Sequence, residues 1–322
     1  MYQGMDMEGL LDRVYAGEIR AIARMMSLAE GARAPVHDAM AEIYRRAGRA
    51  HVVGITGVPG CGKSTLVGAL TRVVRKSGRK VGIVAVDPSS PFSGGAILGD
   101  RIRMTDLATD EGVFIRSLAT RGNLGGLASA SLDTVDILDA AGFDLVLIET
   151  VGVGQDEVDI ASAAQTVVVV SAPGLGDDVQ AIKAGVLEIA DIHVVSKADR
   201  PDANKTTSDL KAMLGLGLSS RDRGVWSVPV ICTSVETGEG IEDLSAAIDD
   251  HGVHLSNSGE RDHRQKEIAE MRVLKIAENM VRRRVEGERG TSLKTMFDDT
   301  ATRRLDPHSA ARKLLQDLNL GE

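Results

Sequence analysis

The sequence predicts an α/β protein in which a mainly parallel, doubly wound sheet carries a phosphate-binding loop. Three observations support this fold class. Apolar runs of strand length alternate with segments of helical periodicity, several runs are continuous Val/Ile stretches typical of strands buried on both faces, and the first run leads into a glycine-rich loop. The seven runs are Val52–Thr56, Val81–Val86, Val113–Leu118, Leu145–Thr150, Thr166–Ser171, Ile192–Ser196 and Val228–Thr233. Ligands of such sheets bind at the carboxyl ends of the strands.

Helix-like segments lie between the runs and at both ends of the chain. The predicted crossover helices are Ser64–Lys76, Asp178–Ala190 and Asp202–Leu214. Before the first strand, apolar residues fall at helical spacing from Ile19 to Met26 and from Val36 to Tyr44. We therefore expect an N-terminal helical extension over residues 1–48 and a P-loop domain over residues 49–252.

The C-terminal part changes character after Gly259. Glu260–Glu286 is predicted as a charged helix with one apolar face, and a last helix is predicted over Ser309–Leu318. The basic run Arg282–Arg284 is interpreted as a solvated helix face rather than a nucleic-acid patch, because acidic residues lie beside it. Since this tail has few strand partners, we expect its apolar stripe to pack against a second subunit, with residues 253–322 as a helical dimerisation arm.

The composition of the 322-residue chain excludes several classes of protein. A net charge of −8 and only eight aromatic residues (four Phe, three Tyr and one Trp) argue against a general nucleic-acid binder. Two cysteines, Cys61 and Cys232, cannot form a disulfide framework, which suits a reducing compartment. No apolar stretch approaches the roughly 18 residues of a membrane-spanning helix, and no leader segment is apparent. We expect a cytoplasmic protein that binds neither nucleic acid nor membrane.

The loop after the first predicted strand has the full phosphate-binding pattern, Gly57-Val-Pro-Gly-Cys-Gly-Lys63-Ser64. Its glycines allow positive φ, so backbone N–H groups can curl around a phosphate, and the following helix points its positive end at the same anion. Lys63 supplies charge to the outer phosphates, and Ser64 offers a hydroxyl to Mg²⁺. The predicted nucleotide contacts here are Gly57, Pro59, Gly60, Cys61, Gly62, Lys63, Ser64 and Thr65. A glycine-rich turn without a ligand is the alternative.

Acidic residues after two other strands are candidates for a magnesium environment. Glu149 ends a buried run and is followed by a glycine three residues later. After a phosphate-binding loop, such an acid commonly orders the magnesium shell. Asp87 closes another strand, and Asp100 lies in the acidic loop that follows it. With Ser64, these three carboxylates form the predicted metal set, because Mg²⁺ prefers hard oxygen ligands. The alternatives are an ordinary strand-terminal carboxylate for Glu149 and turn-forming roles for the two aspartates.

Residues around the same strand end are the predicted catalytic groups. The N–H of Gly152 is placed to sense the γ-phosphate, and Glu149 can help align the attacking water. The segment Gly154–Glu157 then opens a helix, as expected of a switch that orders on binding a triphosphate. With the P-loop lysine, the predicted catalytic residues are Lys63, Glu149 and Gly152.

A base-reading motif, Ser196-Lys197-Ala198-Asp199, directly follows the sixth predicted strand. In GTPases the Asp at this place accepts hydrogen bonds from guanine N1–H and its 2-amino group, whereas adenine would leave the carboxylate unpaired. Polar pairing of this kind discriminates strongly. The stem of Lys197 is expected to stack over the base, and Ser234 lies in a second loop on the guanine side. Ser196, Lys197, Asp199 and Ser234 are therefore predicted nucleotide contacts, with a helix-cap role for Asp199 as the alternative.

With these motifs, the chain resembles the MeaB/ArgK family of P-loop GTPases, the accessory proteins of adenosylcobalamin-dependent methylmalonyl-CoA mutase. The motifs that carry the resemblance are Gly57–Ser64, Asp87–Pro91, Gly94–Met104, Arg116–Gly122, Glu149–Gln155, Pro173–Gln180 and Leu305–Ala311. The resemblance covers nearly the whole chain. It implies a P-loop NTPase core with N-terminal helices and a C-terminal dimerisation arm, bound GTP or GDP with Mg²⁺, and slow intrinsic hydrolysis. It also implies a homodimer and a mutase partner whose cobalamin loading and protection depend on nucleotide state.

One position departs from the family pattern. The usual Asn-Lys-x-Asp motif has Ser196 in place of Asn. A Ser hydroxyl is shorter and offers one donor, so we expect a brace on the P-loop or the base to be lost. Lys197 and Asp199 carry the discrimination, so GTP is still expected to be preferred, although more weakly.

Two other functions fit the P-loop. A small-molecule kinase, the arginine/ornithine transport kinase label once given to part of this family, would need an acceptor pocket, and no separate substrate domain is visible. A metal-delivering accessory GTPase would carry His-rich tracts or Cys pairs, whereas the seven His residues here are scattered and the two cysteines are far apart in sequence. We therefore favour the GTPase chaperone that the family resemblance implies.

Overall fold

A computed structural model of the chain describes residues 6–31, 34–87, 106–119, 129–150, 159–174, 188–215, 226–287 and 291–317. The chain divides between Ile268 and Ala269 into two compact units. The domain boundaries expected at residues 48/49 and 252/253 stay predictions. Among the residues described, no helix combines the length and the apolar character needed to cross a membrane.

In the described part of the first unit, seven strands form one parallel sheet. They are β1 (His51–Gly57), β2 (Val81–Asp87), β3 (Val113–Ala119), β4 (Leu145–Thr150), β5 (Thr166–Ser171), β6 (Ile192–Val195) and β7 (Val230–Cys232). Their order is β3-β2-β4-β1-β5-β6-β7, so β1 lies between β4 and β5. All seven predicted runs form strands, which confirms the parallel α/β fold. The last strand begins after Pro229, because a proline has no N–H to donate to the ladder.

The helices of the described residues follow the predicted alternation. They are α1 (Met7–Tyr15), α2 (Ile19–Glu30), α3 (Ala34–Arg46), α4 (Lys63–Lys76), α5 (Ser129–Ala140), α6 (Ala203–Gly215), α7 (Ile241–Ser258), α8 (Glu260–Gly287), α9 (Thr291–Ala301) and α10 (Pro307–Asp317). The helices predicted after the first and sixth strands correspond to α4 and α6, and the charged helix corresponds to α8. Most of the predicted helix Asp178–Ala190 lies outside the described residues.

The helices cover both faces of the sheet, as a doubly wound fold requires. One face shares a core with α4 and α7, and its buried side chains include Ile55, Leu70 and Leu244. The other face packs against α1, α2, α3, α5 and α6. The N-terminal helices are therefore part of the first unit and extend the core beneath the sheet.

The second unit contains the end of α8 together with α9 and α10. Among the described residues of this unit, the buried apolar side chains are Leu293, Met296 and Ala310. Helix α10 begins two residues before the predicted start, because Asp306 caps it by accepting a hydrogen bond of 3.0 Å from the Ser309 N–H. Hydrogen bonding from the Ser309 side chain, and secondly from its backbone N–H, lowers the pKa of the Asp306 carboxyl.

A buried polar cluster lies at the amino ends of β1 and β5, opposite the carboxyl ends of the strands. Thr166 Oγ1 lies 2.7 Å from His51 Nε2 and 2.8 Å from His251 Nδ1. Asp191, just before β6, accepts two hydrogen bonds of 2.8 and 2.9 Å from the guanidinium of Arg264. Both side chains are buried, so the guanidinium is paired where water is excluded. Arg264 thus ties the first turns of α8 to the sheet.

Three buried or half-buried histidines are expected to make the free energy of unfolding sensitive to acid. Burial lowers the pKa of His51, His193 and His251 to about 4, from the ordinary 6.5. Between pH 6.5 and pH 4 the unfolded chain binds more protons than the native chain, and each such proton changes the free energy of unfolding by about 1.4 kcal/mol per pH unit. We expect these groups to leave stability unchanged above pH 6.5 and to reduce it as the pH falls towards 4. Urea unfolding at several pH values, followed by Trp226 fluorescence, measures this.

A matched pair of variants tests the cause of the acid sensitivity. His193 is fully buried, and both of its ring nitrogens lack a hydrogen-bond partner among the described residues. His193→Leu should therefore flatten the dependence of unfolding free energy on pH below 6.5. His263, whose side chain is 72% exposed, provides the control variant His263→Leu. The same slope in His193→Leu and the wild type would contradict the assignment.

Candidate nucleotide-binding site

The carboxyl end of β1 turns into a loop with an unusual backbone. Gly57, Gly60 and Gly62 have φ values of 142°, 78° and 93°, which confirms the expected positive φ at all three. A Cβ at Gly57 would lie 2.1 Å from the carbonyl oxygen of Val170, so β5 leaves no room for a side chain there. Helix α4 begins directly after Gly62, so its N-terminal N–H groups open onto the loop. The loop has the shape and polarity of an anion site.

The Lys63 side chain is buried inside this loop. Its Nζ donates to the carbonyl oxygens of Gly57, at 2.7 Å, and Val58, at 3.1 Å, and the residue is 6% exposed. The ammonium therefore adds its charge to the N–H groups of the loop. Of the other predicted loop contacts, Pro59 and Thr65 are exposed.

Cys61 lies in the same loop and is fully buried. Burial raises the pKa of its thiol, so the protonated, less reactive form is favoured. In the described part of the chain both cysteines are free thiols. Cys61 therefore fills space beneath the loop.

Ser64 and Glu149 meet at the base of the loop. The Ser64 hydroxyl, on the first turn of α4, donates to Glu149 Oε1 at 2.5 Å, and Glu149, near the end of β4, is 4% exposed. The fold thus joins two predicted metal ligands that are 85 residues apart in sequence. A hydroxyl and a carboxylate side by side are the hard oxygen donors that Mg²⁺ prefers.

The remaining predicted metal and catalytic groups lie outside the described part of the structure. Asp100 and Gly152 lie outside the described residues, as does the side chain of Asp87, whose backbone ends β2. Among the described residues, no three His, Cys, Asp or Glu side chains are grouped as a metal site would require. Their roles stay predictions.

The base-reading loop follows β6 and lies beside the loop after β7. Ser234 Oγ donates to Asp199 Oδ1 at 2.6 Å, and this bond lowers the pKa of the Asp199 carboxyl. The Ala198 N–H donates to the Thr233 carbonyl at 3.0 Å, which holds the two loops together. The structure therefore brings together Asp199 and Ser234, two predicted guanine-side residues.

Two side chains connect this loop to the P-loop. Lys197 has a positive φ of 55°, and its Nζ donates to the Gly60 carbonyl at 2.7 Å. Ser196 Oγ lies 2.5 Å from the Cys61 carbonyl oxygen and 3.0 Å from that of Ser171. We expected Ser196 to lose the contact with the P-loop that the usual Asn would make. This loss does not occur, because the Cys61 carbonyl lies close enough for the shorter Ser196 hydroxyl to reach it.

Ser196→Ala should weaken GTP and GDP binding to the same extent, by up to about 10-fold, because it removes a buried hydrogen bond between the two loops and leaves both nucleotides their other contacts. Isothermal titration calorimetry with each nucleotide measures the effect. Ser208→Ala is the matched control, since the exposed Ser208 hydroxyl donates only to a carbonyl of its own helix. Unchanged affinity in Ser196→Ala would show that the contact does not support the site.

Two hydroxyls at this end of the sheet were not among the predicted site residues. Thr150 Oγ1 donates to Thr56 Oγ1 at 3.1 Å, and the two residues are 1% and 0% exposed. A threonine as the last residue of the predicted run, in both the first and the fourth strand, is the sequence signal that would have found them.

Comparison with known proteins relates this chain, with its P-loop and base-reading loop, to GTPases. The family model described as "Methylmalonyl Co-A mutase-associated GTPase MeaB" matches residues 22–289. A Pyrococcus horikoshii relative named as a GTPase is 46% identical over 96% of this chain and 97% of its own. The Escherichia coli GTPase ArgK is 37% identical over 77% of this chain and 76% of its own.

Two further comparisons extend the likeness. A mouse protein named methylmalonic aciduria type A homolog, mitochondrial, is 37% identical over 65% of this chain and 50% of its own. The crystal structure of a LAO/AO transport system kinase superposes with a TM-score of 0.71 at 27% identity and covers 97% of both chains. These relatives agree with a nucleotide site built on the P-loop and the base-reading loop.

Proposed function

From the premise that the chain belongs to the MeaB family of methylmalonyl-CoA mutase-associated GTPases, we propose that it is a chaperone of an adenosylcobalamin-dependent acyl-CoA mutase. It hydrolyses GTP and couples its nucleotide state to loading and protection of that mutase. The observation that carries the proposal is the family match over residues 22–289, whose description names the mutase. The mouse relative named for methylmalonic aciduria supports the same class of partner.

In this proposal the P-loop binds the phosphates of GTP. The N–H groups between Gly57 and Ser64 wrap the β-phosphate, and Lys63 extends to the outer phosphates. Negative charge spreads over the γ-phosphate oxygens as water attacks, so fixed donors and an ammonium at this place lower the barrier. Gly152 is assigned a further N–H contact to the γ-phosphate.

The pair Ser64 and Glu149 fits a magnesium ion. Mg²⁺ is commonly held by one or two carboxylates together with substrate phosphates and water. We assign Ser64 and Glu149 to its shell, joined by Asp87 and Asp100 from the strand end and loop of β2. The ion, when bound, supplies positive charge against the phosphates. The carboxylate of Glu149 also orients the Ser64 hydroxyl.

Asp199 selects the base. Its carboxyl is ionised at neutral pH, and the hydrogen bond from Ser234, which lowers its pKa, favours the same state. An ionised carboxylate can accept two N–H bonds from guanine. Lys197 donates from this loop to the P-loop carbonyl of Gly60, and this contact supports the assignment of its stem to covering the base. Ser196 and Ser234 hold the loop and the carboxylate in place.

The C-terminal arm is proposed to form a homodimer. In the second unit, part of α8 leaves a set of large apolar side chains exposed, namely Met271, Val273, Leu274, Ile276 and Met280. Exposed apolar area on this scale is typical of a protein interface. The loop Pro173–Gln180, most of which lies outside the described residues, is assigned to sensing the mutase. The protein is proposed to act in the cytoplasm.

A capture experiment tests the chaperone role. The full chain, tagged and loaded with a non-hydrolysable GTP analogue or with GDP, is incubated with cobalamin-dependent acyl-CoA mutases. We expect a mutase of the methylmalonyl-CoA type to be captured with an affinity that depends on the nucleotide. Failure to capture any of them in either state would leave a GTPase without the proposed partner.

A small-molecule kinase is the second candidate, favoured only by the name of the superposed transport system kinase. Incubation with γ-labelled GTP separates the two activities. Free labelled phosphate supports hydrolysis, whereas label on a basic amino acid or another acceptor supports the kinase.

A further inference from the structure

We infer that Thr56 and Thr150 form a positioning pair that sets the separation between the P-loop and Glu149 during GTP hydrolysis. The inference deepens the proposed function, because it rests on the magnesium role assigned to Glu149. Neither hydroxyl is assigned a contact with the nucleotide or the ion. The two hydroxyls act by holding the ends of β1 and β4 together.

The pair lies where the backbone ladder between these strands stops. The parallel pairing of β1 with β4 runs from His51 opposite Leu145 to Ile55 opposite Glu149. Thr56 and Thr150 are the next residue on each strand, and β1 leaves the sheet at Gly57 to become the P-loop. The hydroxyl bond of 3.1 Å is thus the next link between the two strands after the ladder ends.

The surroundings of the pair do not explain why the residues are polar. In the register of the sheet, Val86 lies opposite Thr150 and Val169 lies opposite Thr56, so the row reads Val-Thr-Thr-Val from β2 to β5. Both threonines are buried on the face that packs against the N-terminal helices and α5. Valine has nearly the same shape as threonine, so apolar packing alone would be served as well by a row of four valines.

The opposite face of the same strand end carries the Ser64–Glu149 contact. Successive side chains of a strand alternate between faces, so Glu149 projects towards α4 while Thr150 projects away from it. The last backbone pair is therefore held from both faces, by Ser64–Glu149 on one and Thr56–Thr150 on the other. Without the hydroxyl bridge, the end of β4 can shift relative to β1, and Glu149 moves relative to the P-loop.

The test compares Thr56→Val, Thr150→Val, the double variant and Thr150→Ser in the full chain. The readouts are melting temperature, GDP affinity with and without Mg²⁺, and kcat and KM for GTP. Each single valine variant leaves one hydroxyl buried without its partner, so its melting temperature should fall, whereas the double variant should recover it. We expect the double variant to keep its GDP affinity without Mg²⁺ and to lose about 10-fold in kcat and in the Mg²⁺-dependent gain in affinity.

Controls separate positioning from a general loss of packing. Thr71 is a fully buried threonine on α4 whose hydroxyl donates to the Val67 carbonyl of its own helix, so Thr71→Val should leave the Mg²⁺ dependence unchanged. Thr150→Ser keeps the hydroxyl and should restore both readouts. A double variant with wild-type kcat and Mg²⁺ dependence would overturn the inference. A wild-type protein whose nucleotide affinity ignores Mg²⁺ would instead overturn the proposed metal role, and the inference with it.

Discussion

Lys63→Ala is expected to weaken GTP binding by about 100-fold and to reduce hydrolysis below detection, because it removes the P-loop ammonium from a site that neutralises phosphate charge. The wild-type ammonium is held inside the loop by the carbonyl oxygens of Gly57 and Val58. Its loss therefore removes charge from the point where the loop N–H groups converge. Titration calorimetry with GTP and GDP, together with phosphate release, measures both effects.

Lys76→Ala is the matched control for this variant. Lys76 lies at the other end of α4, where its side chain is 69% exposed and pairs with Glu242. It should bind and hydrolyse GTP as the wild type does. Circular dichroism and the melting temperature confirm that both variants fold. If well-folded Lys63→Ala binds GTP with wild-type affinity, the assignment of the loop to phosphate is wrong.

Asp199→Asn is expected to reverse the preference for the base. The substitution replaces one carboxylate oxygen with an N–H₂ donor, which then faces an N–H donor of guanine. A site built on such pairing rejects the unpaired base strongly, so GTP affinity should fall by about 100-fold or more. Xanthine carries a carbonyl oxygen where guanine carries its 2-amino group, so XTP affinity should rise. Competition titrations with GTP, XTP and ATP measure the change.

The exposed position of Asp199 makes this variant easy to interpret, because the core is untouched. The asparagine oxygen can still accept the bond that Ser234 donates, so the loop is expected to stay folded. Asp202→Asn, three residues further on and also exposed, should leave the preference for GTP intact. Equal affinity of the wild type for GTP and ATP would remove the guanine assignment.

Local pattern predicted most of the fold. Apolar runs such as Leu145–Thr150 and Thr166–Ser171 are buried along their whole length, so their sequence carries a strong strand signal. Helix α7 was missed although Ile241, Leu244 and Ile248 recur at helical spacing on its buried face. Helix α5 gives a weaker signal, because it packs between the sheet and the N-terminal helices and buries more than one face.

The candidate site was predicted unevenly. The backbone of the P-loop follows from its glycines, and the positive φ values agree with that reasoning. The prediction that Ser196 would lose the contact with the P-loop was wrong, because the Ser196 hydroxyl donates to the Cys61 carbonyl. The distance between these two atoms depends on the packing of the sheet, in which β5 separates β6 from β1. The nucleotide and metal contacts of the named residues stay predictions.

By itself the sequence determined the described strands, several of the helices, the phosphate-binding loop and the base-reading motif, because each depends on residues within about ten positions of one another. Only the tertiary structure decided that β1 lies between β4 and β5, that Ser64 meets Glu149 and that Thr56 meets Thr150. These contacts join residues 85 and 94 positions apart. No local pattern encodes them, because the order of strands follows from how all the helices and strands bury their apolar faces together.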